Sequence, residues 1–205
     1  MTAQTRECLD GSAPPHLITH NRPRITIYAT NGCTFLRAGL KCNQWLLMAG
    51  VIMEYGTIAR EIHIEATPEV VYEVITQPEH IAQWWGFDAT FPAVPGGDGR
   101  MTRQRRGGTG TLVVPIHVVE ADPPRRFVFR WAHPEDQPAT PQNSFLVTFE
   151  LASAKGGTLV RLTEGGFREI GWEAAQLEEH YRSHSAGWDQ HLARLAAYAA
   201  GRVQS

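Results

Sequence analysis

Alternation of apolar and polar positions begins at Thr57. Through Glu65, Ile58, Arg60, Ile62 and Ile64 fall on one face and Ala59, Glu61, His63 and Glu65 on the other, the two-residue period of a half-buried strand. Thr67-Pro68-Glu69 then carries the marks of a helix start: Thr67 as N-cap, Pro68 in the first turn, and Glu69 where the helix dipole favours an anion. Val70, Val71 and Val74 give this short helix an apolar side. Thr76-Gln77-Pro78-Glu79 repeats the signal as a capping box and predicts a second short helix ending near Trp84-Trp85-Gly86.

Pro92, Pro95, Gly96, Gly97 and Gly99 mark a turn-rich connection and Gly107 to Gly110 a hairpin, with strands predicted at about 100–106 and 111–120. After the turn at Asp122-Pro123-Pro124, the run Phe127 to Trp131 places its aromatic rings on one face. A further hairpin pairs Phe145–Leu151 with Thr158–Glu164 across Lys155-Gly156-Gly157. From about Glu173 to Ala200 the period becomes helical, with Leu177, Tyr181, Trp188, Leu192 and Leu195 on one stripe, a break for a bend at Gly187 and a stop signal at Gly201. Some 25 helical residues would run about 37 Å at 1.5 Å each, enough to cross a sheet. These elements predict an α+β domain over residues 53–205. In it a curved antiparallel sheet of about six strands wraps a long C-terminal helix, with two short helices after the first strand and an apolar cavity between sheet and long helix.

Residues 1–52 read differently. They lack periodicity until the run Trp45 to Ile52, which is too short to span a bilayer and too far from the N-terminus for a secretory signal. They carry five basic residues against two acidic, a local +3 that leaves −5 for the remainder of a chain whose net charge is −2. All three cysteines, Cys8, Cys33 and Cys42, lie here, so the main domain uses no thiol chemistry and a reducing, cytoplasmic setting is the simpler reading. Two readings stand side by side: an N-terminal extension that packs on the domain or a partner, or an upstream stretch preceding a true start at Met53 or Met48. The balanced charge gives no electrostatic footprint for nucleic acid, and no segment predicts a membrane span.

Several stretches carry a family resemblance: Ile62 to Tyr72, Pro78-Glu79-His80 with Trp84-Trp85, Glu120 to Phe129, Val147 to Leu151, and Gly187-Trp188 before Leu192 and Leu195. Together, over roughly Glu54 to Gly201, they resemble the SRPBCC or START-like superfamily. The branch of greatest resemblance is that of homologues of the activator of the heat-shock-protein-90 ATPase. The resemblance implies the helix-grip fold and a deep apolar cavity, but no single reaction: the superfamily holds lipid carriers, hormone receptors and aromatic polyketide cyclases. Nothing in residues 1–52 resembles the additional N-terminal domain through which the eukaryotic activator contributes to chaperone binding.

Trp84, Trp85, Phe129, Trp131, Phe149, Tyr181 and Trp188 are the candidate walls of the ligand cavity, since rings supply large apolar area and Trp and Tyr a polar handle. Core filling is the competing reading for each one alone. Arg103, which shares strand parity with Met101 and Arg105, could orient a carboxylate or enolate if it faced the cavity; an exposed basic face beside Arg106 is the alternative. His117 and Glu150 are ionisable groups on central strands, Glu150 on the outer side by parity. His180 and His184, four apart on one helix face, have a metal-compatible spacing without a third ligand, so no metal and no cofactor is expected. Signatures of serine hydrolases, P-loops, dinucleotide folds and zinc ribbons are missing. The expectation is a non-catalytic binding protein for a small hydrophobic or aromatic molecule, with a homodimer left open. The competing expectations are a cyclase or aromatase-type enzyme using Arg103, His117 or His184, and a module that engages a chaperone ATPase.

Overall fold

The computed structural model describes residues 55–105 and 107–203; the readings made on residues 1–52 lie outside them. The opening alternation is strand β1 (Ile58–Ile64), followed by helices α1 (Pro68–Thr76) and α2 (Pro78–Trp84). Strands β2 (Asp88–Thr90), β3 (Asp98–Gln104), β4 (Thr111–Asp122), β5 (Arg126–Trp131), β6 (Phe145–Ala154) and β7 (Gly157–Gly165) precede helix α3 (Ala174–Arg202). All strand pairs are antiparallel in one seven-stranded sheet of order β1-β7-β6-β5-β4-β3-β2. This is the helix-grip arrangement expected from the periods. The strand beyond the expected six is β2, three residues whose Asp88 and Thr90 are exposed, too short for a period to register.

Thr67 caps α1 as its position suggests, its hydroxyl accepting from the Val70 amide at 3.5 Å. The second capping box does not form. Thr76 is the last residue of α1, and its hydroxyl turns back to donate to the Tyr72 carbonyl at 2.7 Å, so α2 begins at Pro78 behind an N-cap, Gln77, that makes no side-chain cap hydrogen bond. Gly201 does not stop α3 either, which runs on to Arg202.

The two faces of the sheet differ in chemistry. On the concave face Ile64, Val160, Leu162, Phe127, Phe129, Val147 and Phe149 are buried against α1, α2 and α3. On the other face a row of alternating charge crosses the strands, Glu61 opposite Arg161, Arg161 opposite Glu150, and Glu150 opposite Arg126. The Arg161 Nε–H donates to Glu61 at 2.6 Å, and Glu150 is exposed, as its parity indicates. Such cross-strand pairs contribute modestly to stability.

Helix α3 would span about 43 Å at 1.5 Å per residue, and its two halves are held differently. Its buried residues, Trp188, Leu192, Leu195 and Ala199, all lie beyond Gly187. Near its end the Tyr198 hydroxyl meets Nδ1 of buried His80 at 2.9 Å, while the His80 Nε2–H donates to Glu73 at 3.1 Å, joining α3, α2 and α1. The N-terminal half is held mainly by polar and ring contacts. Arg60 donates to Ser185 at 2.7 Å and, just beyond Gly187, to Asp189 at 2.7 Å, and the Tyr181 hydroxyl donates to the Thr57 carbonyl at 3.3 Å.

Gly99 is required where β3 passes the end of β2: a Cβ there would lie 2.0 Å from the Thr90 carbonyl oxygen and 2.6 Å from Phe91 Cβ. Backbone cannot yield to that overlap without breaking the strand pair. Gly99→Ala should therefore destabilise the protein by about 1–3 kcal/mol in urea unfolding, as overpacking does elsewhere. An unchanged midpoint would show that β2 is not anchored as described.

Candidate functional site

Six of the seven aromatic residues singled out in the sequence form one ring cluster, while Tyr181 lies apart against Tyr55 and Phe167. Trp84, Trp85, Phe129, Phe149 and Trp188 are buried; Trp131 and Tyr181 are half-buried at the rim. Trp85 stands at the centre, its ring 5.3 Å from Trp188, 5.4 Å from Trp131 and 6.0 Å from Phe129, and stacked on Trp84 at 5.1 Å. Phe149 meets Trp84 and Trp188 edge-on, at 6.5 and 6.0 Å. Strand alternation explains the convergence, because Phe129 and Trp131 of β5 and Phe149 of β6 occupy inward positions in register with one another's strands.

The polar centre of this ring cluster is Glu164, near the end of β7. Its side chain is fully buried. Oε1 accepts from the Trp131 indole N–H at 2.8 Å and from His184 Nδ1 at 3.0 Å, and Oε2 accepts from the Trp188 indole N–H at 2.8 Å. Because a carboxylate only accepts, Nδ1 of His184 carries the proton. Three donors from β5 and α3 thus meet one acceptor on β7. A buried carboxylate is tolerated when donors replace its lost hydration, and hydrogen bonds to a charged group are the stronger kind. The signal for Glu164 was present in the sequence: Thr158, Val160, Leu162 and Glu164 share parity, so the acid sits at an inward position after two aliphatic ones.

His184 is 17% exposed and sits among rings, 4.6 Å from Phe145, 5.5 Å from Trp131 and 5.5 Å from Phe167. His180 lies a turn earlier, stacked on Trp172 at 4.0 Å. Among the described residues no group of three His, Cys, Asp or Glu side chains is placed to hold a metal.

The other two candidates lie elsewhere. Arg103 is at the exposed rim, its guanidinium 4.5 Å from the centre of the Phe87 ring. His117 faces the opposite side of the sheet, because its neighbours Ile116 and Val118 take the inward positions. There it donates from Nδ1 to Asp98 at 2.6 Å and lines a cleft of about 640 Å³ together with Arg100, Pro115, His133 and Glu135. His117 and His184 therefore do not share a site.

Tyr181 at the rim and Tyr72, whose ring meets Phe127 at 6.3 Å, both have phenols pushed above the ordinary value by burial. For Tyr181 nearby Arg60 opposes that rise and Tyr55 adds to it; for Tyr72 the charge of Asp122 adds to it.

The model of the family described as "Activator of Hsp90 ATPase homolog 1-like protein" matches residues 65–200. No functionally curated protein matches the chain. Among solved structures, a protein from Nitrosomonas europaea aligns with a TM-score of 0.59 at 17% identity, over 72% of this chain and 96% of that one. One from Chromobacterium violaceum gives 0.55 at 22%, over 72% and 99%. The solution structure of the Aha1 dimer from Colwellia psychrerythraea gives 0.52 at 21%, over 68% and 92%. At these identities the likeness is one of fold.

Two measurements check the site. Glu164→Ala leaves one buried and two part-buried N–H groups without their acceptor and should cost about 3–5 kcal/mol in urea unfolding. Glu164→Gln, which keeps one oxygen, should cost about 1–3 kcal/mol. If both variants stay within error of the wild type, the carboxylate does not hold α3 to the sheet. The second measurement uses pH. A phenol that stays protonated to higher pH in the folded state than in the unfolded chain contributes stability that is complete below its unfolded value of about 10. That contribution is lost as pH rises through the higher folded-state value. Tyr72 also has a buried hydroxyl with no hydrogen-bond partner among the described residues, so Tyr72→Phe should raise stability by up to about 1 kcal/mol at neutral pH. It should also remove one late phenolate transition from an absorbance titration; loss of an ordinary transition instead would contradict the burial.

Proposed function

The chain belongs to the activator of Hsp90 ATPase homolog 1-like family, and from that membership and the architecture of its interior we propose that it binds a small hydrophobic or aromatic molecule between the sheet and α3. The observation that carries this reading is a cluster of six aromatic side chains, two of which, Trp131 and Trp188, donate to one buried carboxylate. A compartment walled by rings with a single polar anchor has the composition of a small-molecule site: area for affinity and one group for orientation. A packed core needs no buried acid, whereas a binding compartment gains selectivity from one.

The side chains at the rim, Tyr181, His184 and Trp131, are partly exposed, and ligand entry is assigned to that end. An odd number of cysteines, three, without framework spacing supports a cytoplasmic setting; among the described residues no helix is long and apolar enough to cross a membrane. The dimeric Colwellia relative supports a homodimer as the working oligomer.

A second reading is favoured by the pair His184 and Glu164. With Nδ1–H held by the carboxylate at 3.0 Å, Nε2 carries the free lone pair and can accept a proton from a substrate, the arrangement a cyclase or aromatase-type reaction would use. Turnover abolished in His184→Phe, with ligand affinity retained, would establish it.

The binding reading is tested by NMR with a panel of small aromatic and aliphatic molecules. The expected result is perturbation of the Trp131 and Trp188 indole N–H signals, with quenching of tryptophan fluorescence. If perturbations gather on His117 and His133 instead, the site is the outer cleft. If no panel member perturbs any signal, the protein is not a small-molecule carrier of this class.

A further inference from the structure

We infer that the anchor in this compartment is an amine-recognition box, occupied in the free protein by its own His184, and that the ligand class it selects is a small apolar molecule bearing a protonated amine. The inference rests on the binding reading above and specifies its ligand.

The His184 imidazole lies between three rings, 4.6 Å from Phe145 and 5.5 Å from each of Trp131 and Phe167, with the Glu164 carboxylate 3.0 Å from Nδ1. These are centroid separations at interplanar angles of 55°, 58° and 79°, and a cation placed where the imidazole lies would be within the roughly 6 Å range of ring attraction. Rings on the sides and a carboxylate at the end recognise a group that is both positively charged and an N–H donor. The imidazole meets the N–H donor half of this description, and an alkylammonium group meets both halves. A ligand of that kind would take the place of His184 on Oε1 while the two indole donors stay where they are.

His184 is also the member of this set able to leave. Glu164 is fully buried and Trp188 is 2% exposed, each within β7 or the buried half of α3, while His184 is on the rim side of Gly187 with its side chain 17% exposed. Oε2 accepts one bond, from Trp188, and a carboxylate has about four lone-pair directions, so an ammonium with three N–H groups finds a further acceptor there. The same carboxylate works against acids. A second negative charge beside Glu164 would be repelled in a poorly solvated interior, which sets this compartment against fatty acids and other carboxylates.

The experiment is a matched series offered to the wild-type protein by calorimetry: 2-phenylethylamine, 2-phenylethanol and 3-phenylpropionate, equal in apolar frame and different in head group. The amine should bind at least about tenfold more tightly than the alcohol, with the acid weakest. His184→Ala, which empties the box, should bind the amine more tightly than the wild type and should gain thermal stability from added imidazole or methylamine, while the wild type does not. Equal binding of all three compounds overturns the amine assignment and leaves the binding reading intact. Binding of none, with no rescue of His184→Ala by imidazole or methylamine, overturns both. Rescue of the variant without binding to the wild type shows a box that is permanently closed by His184, and the ligand assignment falls.

Discussion

The interior of this protein is organised around one carboxylate. Glu164 accepts hydrogen bonds from Trp131, Trp188 and His184, and these three donors come from β5 and from both sides of Gly187 in α3. Removing a charged group from water is costly, and the cost is offset only when its lone pairs are met by well-placed donors. The requirement acts as a constraint on the whole fold: β7, β5 and α3 must approach one another at one point with hydrogen-bonding distances near 2.8–3.0 Å. Apolar packing alone would tolerate the helix sliding along the sheet by a fraction of an ångström. Hydrogen bonds of that length do not.

The rings follow from the same point. An indole that donates to Glu164 has its N–H fixed, and with it the plane of a large side chain. Trp131 and Trp188 are fixed in this way, and Trp85 fits against both at 5.4 and 5.3 Å. Trp84 stacks on Trp85 and is itself tied by its N–H to the Val74 carbonyl at 3.0 Å, which reaches α1. Orientation thus passes from one carboxylate through four indoles to the far side of the domain. The aromatic concentration that marks the compartment in composition is also the means by which α1, α2 and α3 are set relative to the sheet.

How much of this could be read in the chain depends on the range of the interaction. Strand and helix periods are local properties, so β1, α1, the β6–β7 hairpin and α3 were legible from spacing, and the inward positions of Phe129, Trp131 and Phe149 followed from parity. Glu164 was legible in part, as an acid at an inward position after Val160 and Leu162, but its donors lie 33, 24 and 20 residues away and only the folded sheet brings them together. The second capping box misled because Thr76 had a competing local acceptor in the Tyr72 carbonyl, an option that a four-residue motif does not display. His117 and His184 look alike as isolated histidines in a sequence. Register separates them, since His117 stands opposite Arg130 on the outer face while Ile116 stands opposite Trp131 on the inner one.

Helix α3 is held by different kinds of contact on the two sides of Gly187. Beyond Gly187 the helix is held by Leu192, Leu195 and Ala199, buried contacts whose loss would expose apolar area to water. Before Gly187 it is held by Arg60 to Ser185, Tyr181 to Thr57 and His184 to Glu164, hydrogen bonds that water or a ligand can replace in kind. The difference is one of net free energy: exchanging one hydrogen bond for another changes little, whereas uncovering a buried side chain costs about 1.5–3 kcal/mol. A helix built of one residue type throughout would be either fixed along its length or loose along its length. Polar contacts occur along the whole helix, Arg60 to Asp189 and His80 to Tyr198 among them, but among the described residues buried apolar anchors occur only beyond Gly187, so the two ends differ in how firmly they are held.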